Sequence, residues 1–378
     1  MARRDVGQSG AVEQRLRVAM TLEQCWHRVP GGTAVAALEI ARALRLRDDV
    51  EPIGVAARHK HPAPQPWTPP IDVRHLPLPR LALYESWHRL RMPKVERATG
   101  RVDVIHATTV AMPPRSAPIV VTVHDIAFRR DPSHFTRRGL SFFERGLELA
   151  VQDADLILCS SRATLGELRS LGVGSERLRH VPLGVRAPEV DDALVQRVRR
   201  AYGLERPYLL WVGTVEPRKN LSRLIEAYRS LGRDDVDLAA AGPKGWNEDI
   251  ESLLGKAGGR IKSLGFVPED VKAALYKGAE AFCFPSLREG FGFPVLEAMA
   301  QGTPVVTSKG TSTEELADGA GILVDPTDTG SIAQGIKQAL EDEAVRRELR
   351  RRGPQRAAQY TWEHTAALVA QAYREVAS

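Results

Sequence analysis

The sequence predicts an α/β protein of two domains, each with a largely parallel sheet. Short apolar or β-branched runs alternate with amphipathic helical segments along almost the whole chain, as strand–helix–strand units do. The alternation loosens once, over "VPLGVRAPEVDDA" (181–193), and then starts afresh, which marks an interdomain linker. A length of 378 residues suits two domains, and 43% hydrophobic residues supply the apolar material for two cores.

The first fourteen residues are basic and lack an apolar core or a cleavage pattern, so they read as a loose tail and not as a secretory signal. The first alternation begins with "LRVAM" (16–20) and a helix over "GTAVAALEIARAL" (32–44). Strands follow at "PIGVAA" (52–57), "VDVIHAT" (102–108), "PIVVTVHD" (118–125) and "DLILCSS" (155–161), with a helix over "RRGLSFFERGLELAVQDA" (137–154). The Pro-rich stretch "HKHPAPQPWTPP" (59–70) is a loop. The second alternation runs through "YLLWVGTV" (208–215), "VDLAAAG" (236–242), "IKSLGFV" (261–267), "EAFCFPS" (280–286) and "TPVVTS" (303–308). An amphipathic helix opened by Thr361 ends the chain.

Composition narrows the function classes. No run of eighteen apolar residues occurs, so a membrane-spanning helix is not expected. Cys25, Cys159 and Cys283 stand far apart, which fits neither a disulfide framework nor a metal cage and suits a reducing cytoplasm. The net charge of +6 admits a polyanionic partner, yet no zinc finger, basic zipper or RNA-binding aromatic signature accompanies it, which argues against nucleic acid.

In open parallel sheets, ligands bind beyond the carboxyl ends of the strands. Three loops there carry chemistry. Gly31 and Gly32, in "VPGGTAV", let backbone approach a ligand closely at the start of a helix; a tight turn explains them equally well. Next, "WVGTVEPRKN" ends a strand at Gly213 and places Arg218 and Lys219 at a helix start. Two cations there oppose the helix dipole unless a diphosphate neutralises them; a solvated basic turn is the other reading, and the place at a strand's carboxyl end favours the diphosphate. In "PSLREGFGFPVLEAMAQGTPVVTS", Glu289 sits in a Gly-rich loop, and Glu297 falls in the first turn of the helix that begins near Pro294, close to the same mouth. Paired carboxylates suit recognition of polyol hydroxyls, although Glu297 could equally cap its own helix. The amides around Phe291, Gly292 and Phe293 would face a phosphate. His124 closes the buried run "IVVTV", where a histidine is often only a satisfied structural residue.

Together these segments resemble the retaining glycosyltransferases of the GT4 type. The resemblance is carried by "EGFGFPVLEAMAQGTPVV" with its Glu-x7-Glu spacing, the Gly pair, "VTVHD", "VGTVEPRKN", "LGFVPEDVKAALY" and "YTWEHTA". It implies a GT-B fold: an acceptor-binding domain over 1–186, a nucleotide-sugar domain over 187–360, and a helix over 361–378 packing back toward the first, with the domains facing across a cleft. It also implies that Glu289 contacts the donor sugar, Glu297 the ribose, Arg218 and Lys219 the diphosphate, the backbone of Gly265 and Phe266 the base, and His124 the sugar at the reacting centre. Thr214 stands where many members have Arg, so Arg218 would supply that guanidinium. The "GT-x-EPRKN" form is similar to a mannosyltransferase-like subgroup, which makes GDP-mannose the expected donor.

The expected reaction is therefore a retaining hexosyl transfer to a glycan or lipid-linked hydroxyl. The leaving phosphate would act as base, and domain closure would exclude water. Because no Asp-x-Asp closes a strand, neither a metal nor any other cofactor is expected. Asp125, Arg129, Arg130, Arg137 and Arg138, with His134, Phe135, Phe142 and Phe143, form an acceptor-side element. It reads either as an amphipathic helix with Phe inward or as a peripheral contact with an anionic membrane at the inner face. The alternatives are a UDP- or dTDP-sugar transferase, a nucleotide-sugar epimerase, or a silent nucleotide-sugar-binding partner.

Overall fold

A computed structural model describes residues 15–27, 30–243, 245 and 260–378; the expected tail over residues 1–14 and the side chain of His134 lie outside the description. Two sheets organise the chain. The first has seven strands: β1 (Leu16–Thr21), β2 (Val50–Ala56), β3 (Val73–His75), β4 (Val104–Ala107), β5 (Ile119–Val123), β6 (Leu156–Cys159) and β7 (Leu178–His180), in the order β3-β2-β1-β4-β5-β6-β7. The second has six: β8 (Tyr208–Val212), β9 (Asp237–Ala241), β10 (Ile261–Gly265), β11 (Ala281–Phe284), β12 (Val305–Ser308) and β13 (Ile322–Val324), in the order β10-β9-β8-β11-β12-β13. Registers are parallel, for example Val18 with Val104 and Phe282 with Leu210.

Inner strands such as "IVVTV" and "YLLWV" are buried at every position, because helices cover both faces of a parallel sheet. The edge strands β3, β7 and β13 are three residues long and partly exposed. Helix Gly32–Arg45 starts from extended Gly31, buries Ala34, Ala37, Leu38, Ala41 and Leu44 on one stripe, and ends with Arg42 and Arg45, whose charge suits its carboxyl end. From Val181 to Asp191 there is neither helix nor strand.

By proximity of Cα atoms, the chain up to Val121 forms one compact unit with Gln152–Leu156 and Ala366–Ser378. The other comprises Thr122–Val151 and Ile157–Thr365. The final helix, Trp362–Ala377, is shared between them: Thr365 donates its hydroxyl to the Pro182 carbonyl (2.8 Å) in the second unit. In the first unit, the Tyr373 hydroxyl meets buried His106 Nδ1 at 2.7 Å, and Arg374 pairs with Asp49.

The order of each sheet reverses once, between β1 and β4 and between β8 and β11. Loops leaving the carboxyl ends of two such neighbours diverge and leave a crevice between them, the usual place for a nucleotide. Cys25 lies in the one-turn helix Glu23–Trp26 while Cys159 and Cys283 lie in β6 and β11. Burial pushes each thiol up to about 12, which leaves them inert.

Candidate active site

The crevice between β8 and β11 gathers the charged residues. After β8 the chain turns through Pro217–Lys219, and after β11 it runs through Pro285 to Gly292. Lys219 Nζ lies 2.7 Å and Arg218 Nη1 3.1 Å from the Glu289 carboxylate, and Ser286 Oγ donates to it at 2.7 Å. Arg218 Nη1 also donates to the Arg288 carbonyl at 2.9 Å. Glu289 is almost fully enclosed, with 6% of its side chain exposed, so its two cations are its solvation.

Burial alone would raise the Glu289 carboxyl. Lys219 and then Arg218 outweigh it and hold the group below the ordinary carboxylate range. A depressed folded-state pKa contributes stability that is present above the unfolded value, about 4.3, and lost as pH falls through the folded one. Wild-type protein should therefore lose stability faster than Glu289→Gln on acidification below about pH 4, measured by urea denaturation at stepped pH. Parallel curves would mean that the cations do not hold this carboxylate in solution.

Glu216 completes the cluster and was not singled out from the sequence. Buried like Glu289, it takes Arg218 Nη2 at 2.6 Å, so the guanidinium is forked between two carboxylates and fixed in direction. Glu216 and Glu289 together raise the Arg218 pKa against its burial.

Glu297 sits elsewhere. Helix Phe293–Ala300 begins at Phe293, so Glu297 lies beyond the first turn and does not cap it, contrary to the position read from Pro294. Its two oxygens meet Lys272 Nζ and the Tyr276 hydroxyl, each at 3.0 Å. Those partners stand four apart on one face of helix Glu269–Gly278, and both were missed; Lys272–Tyr276 is visible in "VKAALY" only as a spacing. Lys272 is largely buried, yet Glu297 and Glu269 raise its ammonium pKa.

Gly265 adopts φ +64° and Phe266 beside it is 75% exposed, so an aromatic ring stands in solvent at the carboxyl end of β10. Gly213 donates to the Ala241 carbonyl at 2.9 Å, and Thr214 follows it in the β8 loop. The rings of Phe291 and Phe293 pack on each other and toward Tyr360 and Trp362, so they brace the last helix; Gly292, at φ +112°, has no room for a Cβ beside Thr313. With Pro294 next, the Phe293 amide is the N–H that this helix start can offer.

His124 and Asp125 follow β5 and fall in the same compact unit as Glu289. Gly290 lies so close that a Cβ there would come within 2.6 Å of the His124 carbonyl. Ser160 donates to the Gly290 carbonyl at 3.3 Å, and Thr164 to that of His124 at 3.1 Å. Asp125 accepts from the Ala127 amide at 3.0 Å. Gly31 and Gly32 open their helix, exposed, in the first unit.

On the acceptor-side element, Phe128, Phe135, Phe142 and Phe143 form one ring cluster, while Arg129 pairs with Glu144 (2.8 Å) and Arg130 with Glu167 (3.4 Å). Arg137 and Arg138 are exposed. Phe128 is buried, while Phe135, Phe142 and Phe143 are partly exposed. No helix among the described residues is long and apolar enough to cross a membrane, and those residues hold no group of three His, Cys, Asp or Glu placed for a metal ion.

Comparison with known proteins gives the geometry its context. The family model described as glycosyl transferases group 1 matches residues 195–356, and that of glycosyltransferase family 4 matches residues 30–189. Over 284 residues the chain is 32% identical to O-antigen chain mannosyltransferase B of Escherichia coli, covering 72% of this chain and 74% of that protein. The chain belongs to this glycosyltransferase family. It is also 28% identical over 372 residues to a phosphatidyl-myo-inositol mannosyltransferase of Mycolicibacterium smegmatis, covering 92% and 91% of the two chains. Among solved structures, Anabaena Alr3699/HepE in complex with UDP and glucose superposes with a TM-score of 0.74 at 19% identity, over 96% of this chain and all of that one. That likeness establishes the GT-B fold of this glycosyltransferase, with its two Rossmann-like halves.

Proposed function

We propose that this glycosyltransferase moves mannose from GDP-mannose to a hydroxyl of a glycan or lipid-linked acceptor, with retention at C1 and without a divalent metal. One observation carries the reading: Arg218, Lys219 and Glu289 converge at the sheet's switch point, with Glu297 on the following helix. Mannose is favoured because the two relatives described above are mannosyltransferases.

Breaking the C1–O bond places charge on the leaving diphosphate. Arg218 and Lys219 stabilise that charge where it develops, so they contribute to rate as well as affinity. The diphosphate competes with Glu289 for the same two cations. As it takes them, the carboxylate turns its oxygens to the sugar hydroxyls, which couples donor phosphate and donor sugar in one network. The acceptor hydroxyl attacks C1 on the face the phosphate leaves, and its proton passes to a phosphate oxygen. Two fixed side-chain cations here do the neutralising that a bridging metal would otherwise supply.

Calorimetry with GDP, UDP and dTDP, in the presence of a chelator, tests the reading. GDP should bind most tightly, and Glu297→Ala and Lys219→Ala should each weaken it. Preference for UDP would replace the donor, binding that needs added metal would overturn the metal-free mechanism, and no binding of any nucleotide would remove the clamp itself.

A further inference from the structure

At the amino ends of the first strands lies an open groove of about 590 Å³, its charged lining made by Arg15, Arg17, Arg45, Glu51, Asp72 and Arg74. Arg15 and Arg17 stand at the start of β1, Glu51 at that of β2, and Asp72 and Arg74 at that of β3. Arg45 closes the helix Gly32–Arg45. These strands are parallel, so the groove is at the end of the sheet opposite the crevice between β1 and β4. It lies wholly in the first compact unit, whereas Arg218, Lys219 and Glu289 lie in the second.

Four guanidiniums share this lining with two carboxylates. Arg17 Nε is 3.3 Å from Glu51 and Arg74 Nη2 is 2.7 Å from Asp72, which accounts for two of them. Neither Arg15 nor Arg45 meets a carboxylate among the described residues. Arg15 is nonetheless aimed: its Nε donates to the Val50 carbonyl at 2.8 Å and its Nη2 to that of Arg47 at 3.3 Å. Arg17 is braced in the same way by the carbonyls of Arg101 (2.6 Å) and Thr99 (3.4 Å). A carbonyl orients a guanidinium without neutralising it, so two formal positive charges remain. The negative end of helix Gly32–Arg45, about half a charge, offsets only part of them.

A surplus of preset cations in a concavity calls for an anionic group, and phosphate matches the guanidinium fork. The two carboxylates narrow the choice. Each is paired with one arginine and keeps lone pairs that accept from hydroxyls, while both would repel a broad anionic surface. The volume is that of a small-molecule site, and Pro70 and Ile71 give it an apolar wall. We infer that this groove is a second ligand site, which takes a phosphorylated sugar or polyol. Arg15 and Arg45 hold the phosphate, and Glu51 and Asp72 hold the hydroxyls.

Calorimetry with mannose 6-phosphate, on the full chain with GDP present to occupy the donor clamp, tests this. Mannose 6-phosphate should bind at least about tenfold more tightly than inorganic phosphate, and Arg45→Glu should weaken it about tenfold or more. Arg45 is exposed, so the melting temperature of that variant should stay at the wild-type value. Glu51→Gln should weaken mannose 6-phosphate and not inorganic phosphate, a split that damage to the fold would not produce. Lys219→Met should leave the binding intact. Loss in Lys219→Met and not in Arg45→Glu would put the phosphate at the clamp and overturn the inference. Equal affinity for inorganic phosphate overturns it too, as does absence of binding. Leu46, beside Arg45, is 73% exposed, so phosphatidylglycerol vesicles form the other arm. Sedimentation with them that Arg45→Glu abolishes, with no sugar phosphate bound, would make this a membrane face instead. A wild type that ignores GDP yet binds mannose 6-phosphate through Arg45 would support this site and defeat only the donor clamp.

Discussion

Lys219→Met should lower kcat/KM by about a hundredfold to a thousandfold, the usual loss when one fixed group opposite a developing oxyanion is removed. Lys219 is the deeper of the two cations, 12% exposed, against Glu289 at 2.7 Å and over the Phe284 ring at 5.0 Å. Methionine keeps most of the stem's packing on that ring and deletes the charge. Stability should fall by less than the roughly 3–5 kcal/mol typical of a broken buried pair, because Arg218 and Ser286 still hold the carboxylate. The informative partner is Glu289→Gln. It removes the anion that competes for Lys219 and Arg218, so the nucleoside diphosphate should bind at least as tightly as to wild type while turnover collapses. Lys219→Met loses both. Calorimetry alongside initial rates separates the two patterns, and weaker nucleotide binding in Glu289→Gln would show that the carboxylate does not compete with phosphate.

The two alternations and the charged loop residues were legible because each is local. A continuous β-branched run such as "IVVTV" means a doubly covered strand whatever surrounds it, and a strand's carboxyl end fixes where its loop emerges. What the sequence hid is long-range pairing. Glu216 reads as one more acid in a polar turn, and only its 2.6 Å approach to a guanidinium caught on the far side by Glu289, more than seventy residues on, shows that it sets a direction. Glu297 likewise depends on which face of helix Glu269–Gly278 turns toward it, and the spacing of Lys272 and Tyr276 cannot say. The edge strand Val73–His75 escaped for a different reason: three half-exposed residues carry no period to detect. The rings of Phe291 and Phe293 brace Tyr360 and Trp362, a role the sequence did not show because it depends on residues some seventy positions on, and it leaves their backbone amides to the donor loop.

Asn220→Ala should destabilise the protein by about 2–4 kcal/mol and misplace the clamp with it. Asn220 is buried in the left-handed region at φ +60° and ψ +32°, a conformation that only glycine and short polar residues adopt readily. Its side-chain amide donates to the Pro285 and Pro326 carbonyls, each at 2.8 Å, and its Oδ1 accepts from Arg223 at 2.7 Å. One residue therefore ties the loop after β8 to those after β11 and β13, and it directly follows Lys219. Alanine loses the ties and cannot relax into the backbone conformation; glycine loses the ties alone. The expected order of melting temperatures is Asn, then Gly, then Ala, with the Gly-to-Ala step reflecting about 1–2 kcal/mol of left-handed strain. If Gly equals wild type, the bridges contribute nothing. If Gly equals Ala, the chain adopts another turn in solution. Since Lys219 is held one residue away, kcat/KM should fall in the same order, and a glycine variant with full activity would show that Glu216 and Glu289 alone suffice to aim the two cations.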